Sequence, residues 1–539
     1  MVSKRPEVNT SHIVPDKPVQ EAISTELVDL EARRLVLQKH IQELRTLRNT
    51  YAPISKLPDE VLLEIFALTQ KLYPQDKWYQ EVTHVCRSWR DIAIDAPTLW
   101  TNPPLSKHDF SMLMLARSKS ADLTISIPRT TPIITVEHVL NRIGCIKILT
   151  VRLEVQALDS IIGLLEKGGQ RASRLRTLVL KCESKESWDS RPMFGLSTAV
   201  FCQFHSFREL SLRNVIFDWN ILPLPNLEVL ILSNTTCPAR ISLQHLLDIL
   251  CQMPHLKKLR IHFTQNFLPL PSIAETPLIA QVTLSRLSSL EMFGGHTDCI
   301  WQFLSKLVLP QLRWLEIEFP LNSRIATNNS HRVPSQIAHT IASLVTAGDF
   351  GTFYGLRMCG DFFDFNQQDV VDATAQVHIG IKESQDHDAP RPLFVQTCLD
   401  ILWLCRARLP HLVELILSWE LWLTADELFR LSTELCSVRA IAIYNSATTA
   451  LLFIGVLASL PQHYPPDTNT CIPFPALSFI RFLYVDFAAD PSMTDALCDS
   501  LMLRYEHGVA ITRLELGVDE VPSRQITLLK EIVVEVELL

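Results

Sequence analysis

Two short carboxylate groupings are the residues best suited to acid–base or metal chemistry in this sequence: Asp361-Phe-Phe-Asp364 and Asp386-His387-Asp388. Paired carboxylates can divide the roles of proton donor and acceptor, and an Asp-His-Asp run supplies metal-ligating side chains. The second grouping lies in the polar stretch 382–392 (KESQDHDAPRP), where a solvated surface accounts for it better than a site. The motifs that accompany catalysis are missing. There is no G-x-x-x-x-G-K-[ST], no G-x-G-x-x-G, no H-E-x-x-H and no G-x-S-x-G, and the 17 histidines do not cluster. Glycine numbers only 15 in 539 residues, far below the usual share of about 7%. Loops that cradle phosphates need glycine, because only glycine lets the backbone approach a ligand closely. The sequence therefore predicts no catalytic residue, no metal and no cofactor.

The net charge is −8, without the clustered lysines and arginines that neutralise a phosphate backbone, so no nucleic-acid partner is expected. The opening Met1-Val-Ser-Lys-Arg-Pro-Glu lacks the apolar stretch of a signal peptide. The longest apolar run, residues 450–460 (ALLFIGVLASL), is about half of a membrane span. No lipidation motif closes the sequence. Thirteen cysteines occur without a C-x-x-C pair. Cys86, Cys145, Cys251 and Cys436 sit inside apolar runs and read as reduced core thiols. The three Asn-x-Ser/Thr matches, at Asn9, Asn234 and Asn328, are at chance level. These features predict a cytoplasmic or nuclear protein with no membrane contact.

The elements that must position any function begin with a helical region. Residues 1–20, with Pro6, Pro15 and Pro18, read as a disordered tail. Residues 21–50 read as one amphipathic helix: Leu30, Leu37 and Leu44 recur every seven residues, with Leu27 and Ile41 between them and Arg34 and Arg48 breaking that second row. Three imperfect heptads favour a helix resting on the next unit, with weak self-association through residues 23–47 as the alternative. Pro53 ends this helix. Leu57-Pro58-Asp59-Glu60 starts another, since proline suits a first helical position and acids suit the first turn. Val61, Leu62, Ile65, Phe66 and Leu68 form its apolar stripe. After a loop at Tyr73-Pro74-Gln75-Asp76, a further helix carries Val82, Val85, Cys86, Trp89, Ile92 and Ala93 on one face and stops before Pro97. Three short helices cannot enclose this many large apolar side chains, so part of the stripe should remain on the surface.

From about residue 120 an L-x-x-L-x-L phrase recurs. It appears as Ile146-Lys-Ile-Leu-Thr-Val151, Leu175-Arg-Thr-Leu-Val-Leu180, Phe207-Arg-Glu-Leu-Ser-Leu212 and Leu227-Glu-Val-Leu-Ile-Leu232. Leu256-Lys-Lys-Leu-Arg-Ile261, Leu287-Ser-Ser-Leu-Glu-Met292 and Leu312-Arg-Trp-Leu-Glu-Ile317 continue it. It resumes as Leu412-Val-Glu-Leu-Ile-Leu417, Val438-Arg-Ala-Ile-Ala-Ile443, Leu477-Ser-Phe-Ile-Arg-Phe482 and Ile511-Thr-Arg-Leu-Glu-Leu516. Several copies follow a common lead-in, as in Met253-Pro-His-Leu and Leu409-Pro-His-Leu. The fourth positions of the early copies, 149, 178, 210, 230, 259, 290 and 315, are 29, 32, 20, 29, 31 and 25 residues apart, the spacing of irregular leucine-rich repeats. Each copy reads as a short strand followed by a returning helix, such as residues 243–250, and neighbours must stack to bury their faces. Between residues 322 and 392 the phrase fades. This stretch reads as continuing solenoid with long loops, with degenerate strands at 353–358 and 376–381.

The opening Ile54-Ser-Lys-Leu-Pro-Asp-Glu-Val-Leu-Leu-Glu-Ile-Phe66 and the closing Val85-Cys-Arg-Ser-Trp-Arg90 resemble the F-box. The repeats downstream are similar to those of F-box proteins with leucine-rich repeats, and the flanking helix and Ala96-Pro-Thr-Leu-Trp100 resemble the fungal F-box-like set. The resemblance implies an α/β architecture, with an F-box over residues 51–102 and a leucine-rich-repeat solenoid over 120–539. It implies docking on the Skp adaptor, and through it a cullin, of an SCF ubiquitin ligase. Carried over, Leu57, Pro58, Leu62, Ile65 and Phe66 form the first part of the adaptor-facing or core surface, and Val85, Cys86, Trp89 and Arg90 the second. Residues 68–79 depart from the family pattern in being more polar. The function implied is that of a non-catalytic substrate receptor, the alternative being a repeat scaffold that acts without ubiquitylation. An unidentified protein substrate would meet the concave strand face, on which Lys258, Arg260 and His262 and then Trp314, Glu316 and Glu318 alternate with core positions, with Arg481 and Arg513 further on. Arg260, His262, Trp314 and Glu316 are the candidates there.

Overall fold

The computed structural model describes residues 17–72, 78–153, 161, 163, 172–182, 206–215, 219–235, 241–263, 281–294, 297–320, 332–366, 376–382, 391–418, 421, 423–459, 472–517 and 523–539. The chain divides after Leu123 into two compact units. The first is helical: α1 (Lys17–Thr50), α2 (Asp59–Leu72), α3 (Trp78–Val85), α4 (Arg87–Asp95) and α5 (His108–Arg117). Helix α1 begins within the stretch read as a tail. Pro18 lies in its first turn, where the missing N–H has no partner to lose; residues 1–16 lie outside the described residues. No residue of α1 is buried. The helix thus does not lay its leucine row on the following helices, as the sequence suggested.

The single helix expected over residues 82–96 is two. Cys86 takes extended geometry (φ −154°, ψ 172°) and caps α4, its Sγ accepting from the Trp89 amide at 3.4 Å. That sulfur therefore serves a helix end. The core of the unit gathers Leu62, Phe66, Val82, Ala93, Leu99, Trp100 and Met114. Trp100 is fixed by its Nε1 donating to the Ala93 carbonyl at 2.7 Å, with the Arg117 guanidinium 4.4 Å over its ring. Asp386-His387-Asp388 and the loop 73–76 lie outside the described residues.

The second unit is built on one 16-stranded sheet. Its strands are β1 (Leu123–Ile127), β2 (Ile146–Leu153), β3 (Thr177–Cys182), β4 (Glu209–Arg213), β5 (Val229–Ser233) and β6 (Lys258–Phe263). A separate short pair, β7 (Val282–Thr283) and β9 (Leu307–Val308), alternates in the chain with β8 (Ser289–Gly294) and β10 (Trp314–Pro320). Then come β11 (Gly355–Cys359), β12 (Phe362–Asn366), β13 (Val377–Lys382), β14 (Glu414–Ser418), β15 (Ala440–Tyr444), β16 (Phe479–Leu483), β17 (Arg513–Leu516) and β18 (Glu535–Leu538).

Pairing from β2 to β10 is parallel, and its register is the sequence phrase itself. Leu149 stands opposite Leu178, Leu178 opposite Leu210, and so on through Leu230, Leu259, Leu290 and Leu315. The later copies continue that row with Leu415, Ile441, Ile480 and Leu514. These residues are buried because alternate side chains of a strand share one face. Helices α6 (Ile133–Leu140), α7 (Leu243–Cys251), α8 (Thr297–Leu304), α9 (Arg332–Ala347), α10 (Arg391–Leu404), α11 (Ala425–Glu434), α12 (Ala447–Leu457), α13 (Pro491–Glu506) and α14 (Ser523–Ile532) intervene between strands. Phe453 of α12 meets Phe482 of β16 at 6.4 Å between ring centroids, which marks the core side of the sheet. Asn214, Asn234 and Asn445, each directly after a strand, take positive φ of 52–55°, a conformation asparagine tolerates better than most residues.

The faded stretch is not a plain continuation of the solenoid. The strand order there is β10-β13-β12-β11-β14, and β12 is antiparallel to both neighbours. The chain passes from β10 to the far position, returns through β12 to pair β13 with β10, and resumes parallel pairing at β14. The expected strands at 353–358 and 376–381 exist, shifted by one or two residues, but their order is reversed.

The thiols also differ from expectation. Cys251 and Cys436 are exposed, and Cys86 and Cys145 only half-buried, whereas Cys182, Cys299, Cys359, Cys398, Cys405 and Cys498 are buried. Cys251 ends α7 on its outer side, and the Cys436 thiol donates to the Thr433 carbonyl in a turn. Burial pushes the Cys405 thiol up to about 12, outside the reactive range. Among the described residues no helix is long and apolar enough to cross a membrane.

Candidate functional site

Two surfaces can bind. On the helical unit, Val61, Ile65, Leu68 and Leu72 follow one another along α2 at steps of 4, 3 and 4 residues, one side of a helix, and Ile54 and Leu57 lie just before it, Leu57 in extended backbone. All six are exposed, by 36 to 73% of their surface, and Val85 is exposed as well. Helix α2 is launched at Pro58, whose carbonyl accepts the first amide bonds from Val61 and Leu62 at 3.1 and 3.2 Å. The opposite side of α2 holds the unit together: Leu62 and Phe66 are buried, and Trp89 lies half-buried 5.0 Å from the Phe66 ring.

The nine residues that the resemblance singles out are thus separated by the structure. Leu57, Pro58, Ile65 and Val85 are at the surface. Leu62 and Phe66 are core residues that cannot meet a partner, Cys86 is a helix cap and Trp89 backs the core. Arg90 is exposed, with its Nε donating to the Thr83 carbonyl at 2.8 Å. Ile54, Val61, Leu68 and Leu72 complete the exposed apolar surface; Val61 and Leu68 already belong to the apolar stripe of the sequence, and Leu72 extends its spacing by one step.

The second surface is the open face of the sheet. One cross-strand row runs Arg260, Glu291, Glu316, His378, Asp364, Arg357, Ile416, Ala442, Arg481, Glu515. Glu291 is buried between two cations, Lys258 at 2.5 Å and Arg260 at 3.0 Å. Lys258 and Arg260 therefore answer a carboxylate of the protein, which removes them as free cations for a substrate. The Arg260 guanidinium also lies 4.7 Å over the Phe293 ring, and His262 meets that ring edge-on at 6.3 Å. Arg481 and Arg513 likewise hold the buried Glu515, Arg513 at 2.7 Å and Arg481 through its Nε.

The centre of the row differs. Asp364 hydrogen-bonds the His378 ring at 2.5 Å. Burial acts to lower the His378 pKa, but the hydrogen bond and charge of Asp364, with Glu316 and Glu318 nearby, raise it above its ordinary value. Gly380 leaves room for that ring, since a Cβ there would stand 3.0 Å from the His378 Nε2. Among the described residues no lysine or arginine forms a salt bridge with Glu316 or Glu318. Trp314 lies half-buried in the adjacent row. Among the described residues no three His, Cys, Asp or Glu side chains gather as metal ligands.

Comparison with known proteins matches residues 54–105 to the F-box-like family, and these residues form an F-box-like domain. No curated protein matches the chain. Among solved structures, the chain is similar to one in the crystal structure of the yeast Rad7 and Elc1 complex, with 12% identity, 83% of this chain and 97% of that chain covered, and a TM-score of 0.29. A likeness that distant carries no functional argument.

Proposed function

We propose that the protein is a non-catalytic substrate receptor of a cullin-RING ubiquitin ligase, acting in the cytoplasm or nucleus, with its F-box-like domain on an Skp-type adaptor and its repeat sheet on a protein substrate. The observation that carries this reading is the exposed stripe from Ile54 to Leu72, on the domain whose family docks on that adaptor. Unpartnered apolar helix faces of this kind suit partner helices. Val61→Asp with Ile65→Asp places two charges on the stripe while leaving Leu62 and Phe66 in the core. Adaptor co-purification should fall at least about tenfold with helical circular dichroism unchanged. Retained binding sinks the docking surface. Adaptor captured without any cullin points instead to the scaffold reading.

Helix α1 is proposed to pair with a second copy of itself. Residues 17–32 carry Glu21, Glu26, Asp29 and Glu31 against Lys17, and residues 33–50 carry Arg33, Arg34, Lys39, Arg45 and Arg48 against Glu43, so two copies match best when antiparallel. Leu30→Asp with Leu37→Asp should convert a dimer to a monomer in sedimentation. An unchanged sedimentation coefficient excludes the pairing.

A further inference from the structure

The row beside Glu316 contains three successive side chains with buried polar atoms that have no hydrogen-bond partner. Leu315 stands opposite Val377, and Val377 opposite Phe365, so Trp314, Gln376 and Asn366 are cross-strand neighbours on the open face. The unpartnered atoms are Trp314 Nε1, Gln376 Oε1 and Asn366 Oδ1. Asn366 is only 3% exposed, and it alternates with the core residue Phe365, so its side chain is directed to the open face. The next position in the row is Gly355, which adds no side chain. In the row above, Arg357 Nε is also unpartnered. Buried polar groups are rarely left without partners, and four in neighbouring positions mark a place where something else supplies them.

The charge of this centre selects the ligand. Glu316 and Glu318 have no lysine or arginine partner among the described residues, Asp364 is answered by His378, and Arg357, opposite Asp364, lays its guanidinium over the Phe362 ring, so the carboxylates outnumber the cations here. Two oxygen acceptors with carboxylates behind them call for a cation with several donors. We propose that the centre of the open face binds an arginine-bearing segment of a protein substrate. The guanidinium donates to the Asn366 and Gln376 oxygens beside the Glu316 carboxylate, and Trp314 Nε1 donates to a peptide carbonyl of the same segment. A guanidinium spreads five N–H donors across a plane, which suits acceptors on adjacent strands about 4.8 Å apart. An ammonium presents its donors from one point, and a phosphate would meet like charge.

This inference rests on the receptor reading, and the test separates the two. Full-length protein is applied to arrayed random peptides with a fixed central arginine, lysine or citrulline. Citrulline keeps the shape of arginine and removes its charge. Arginine peptides should bind at least tenfold better than citrulline peptides, with lysine between. Asn366→Leu, and separately the half-exposed Glu316→Gln, should each cut arginine-peptide binding at least fivefold with unchanged circular dichroism and unchanged adaptor co-purification. Equal binding of arginine and citrulline peptides, no binding of either, or full binding by both variants overturns the site. Loss of the adaptor with peptide selectivity intact would remove the receptor reading and leave the site standing.

Discussion

Glu515 and Glu316 stand in the same cross-strand row of one sheet, yet they have opposite surroundings. Glu515 is 1% exposed between two arginines, whereas Glu316 is half-buried and, among the described residues, has no lysine or arginine bound to it. Glu291, directly beside Glu316, repeats the clamped arrangement with Lys258 and Arg260. A carboxylate can enter a dry site only when its charge is answered there. The clamped pair therefore reports on how the sheet is closed. The unclamped centre reports on what the sheet leaves for a partner. The same residue type on the same face thus separates structural from binding positions, which a roster of charged residues on the face does not.

The largest effect expected from this contrast is on stability. Glu515→Ala leaves Arg481 and Arg513 facing each other without their shared carboxylate and should cost about 3 kcal/mol, the low end for a broken buried pair because both arginines keep contact with water. Glu316→Ala should change stability by no more than about 0.5 kcal/mol. Urea unfolding of the two variants compares them directly. Equal losses would erase the distinction. Glu291→Ala should fall between them, at about 2 kcal/mol, because Lys258 and Arg260 are more exposed than Arg481.

The row of core leucines was legible in the sequence almost residue for residue. Positions 149, 178, 210, 230, 259, 290 and 315 meet across strands because each repeat solves the same burial problem with the same residue. The reversed excursion was not legible. Strands β11 and β13 carry apolar alternation, but a strand's direction relative to its neighbours leaves no local mark. That reversal brings Asn366 and Gln376 beside Trp314, so these two had no sequence signal although Trp314 and Glu316 did. In the helical unit, the F-box-like motif was plain, but the motif alone does not separate the buried Phe66 from the exposed Ile65. Cys86 fits a continuous apolar face in the sequence, because a sulfur cap has no strong signature. The buried Arg504 gave no sign either. Its guanidinium donates to the Pro473 and Phe474 carbonyls at 2.7 and 3.0 Å, and burial brings its pKa down to about 10.

A smaller effect sharpens the contrast at Gly380. An alanine Cβ there would press on the His378 ring at 3.0 Å, tilting it away from Asp364. Because the ring can yield, Gly380→Ala should cost about 1 kcal/mol and lower the His378 titration midpoint observed by NMR. An unmoved midpoint would mean that the ring is held by something other than its carboxylate.

The smallest effect is the dependence of stability on pH. His378 has its folded pKa raised, since Asp364, Glu316 and Glu318 together outweigh the burial that works against its charge. A group raised on folding binds its proton more tightly in the native state, so its contribution is complete below the unfolded pKa and disappears as pH rises through the folded value. The protein should therefore lose a small increment of stability between about pH 6 and pH 8 that a His378→Gln variant does not lose. Chemical unfolding of both proteins at several pH values reads the difference. If the variant follows the same slope as the parent, the His378–Asp364 pair does not titrate with folding, and the carboxylates around the ring do not set its charge.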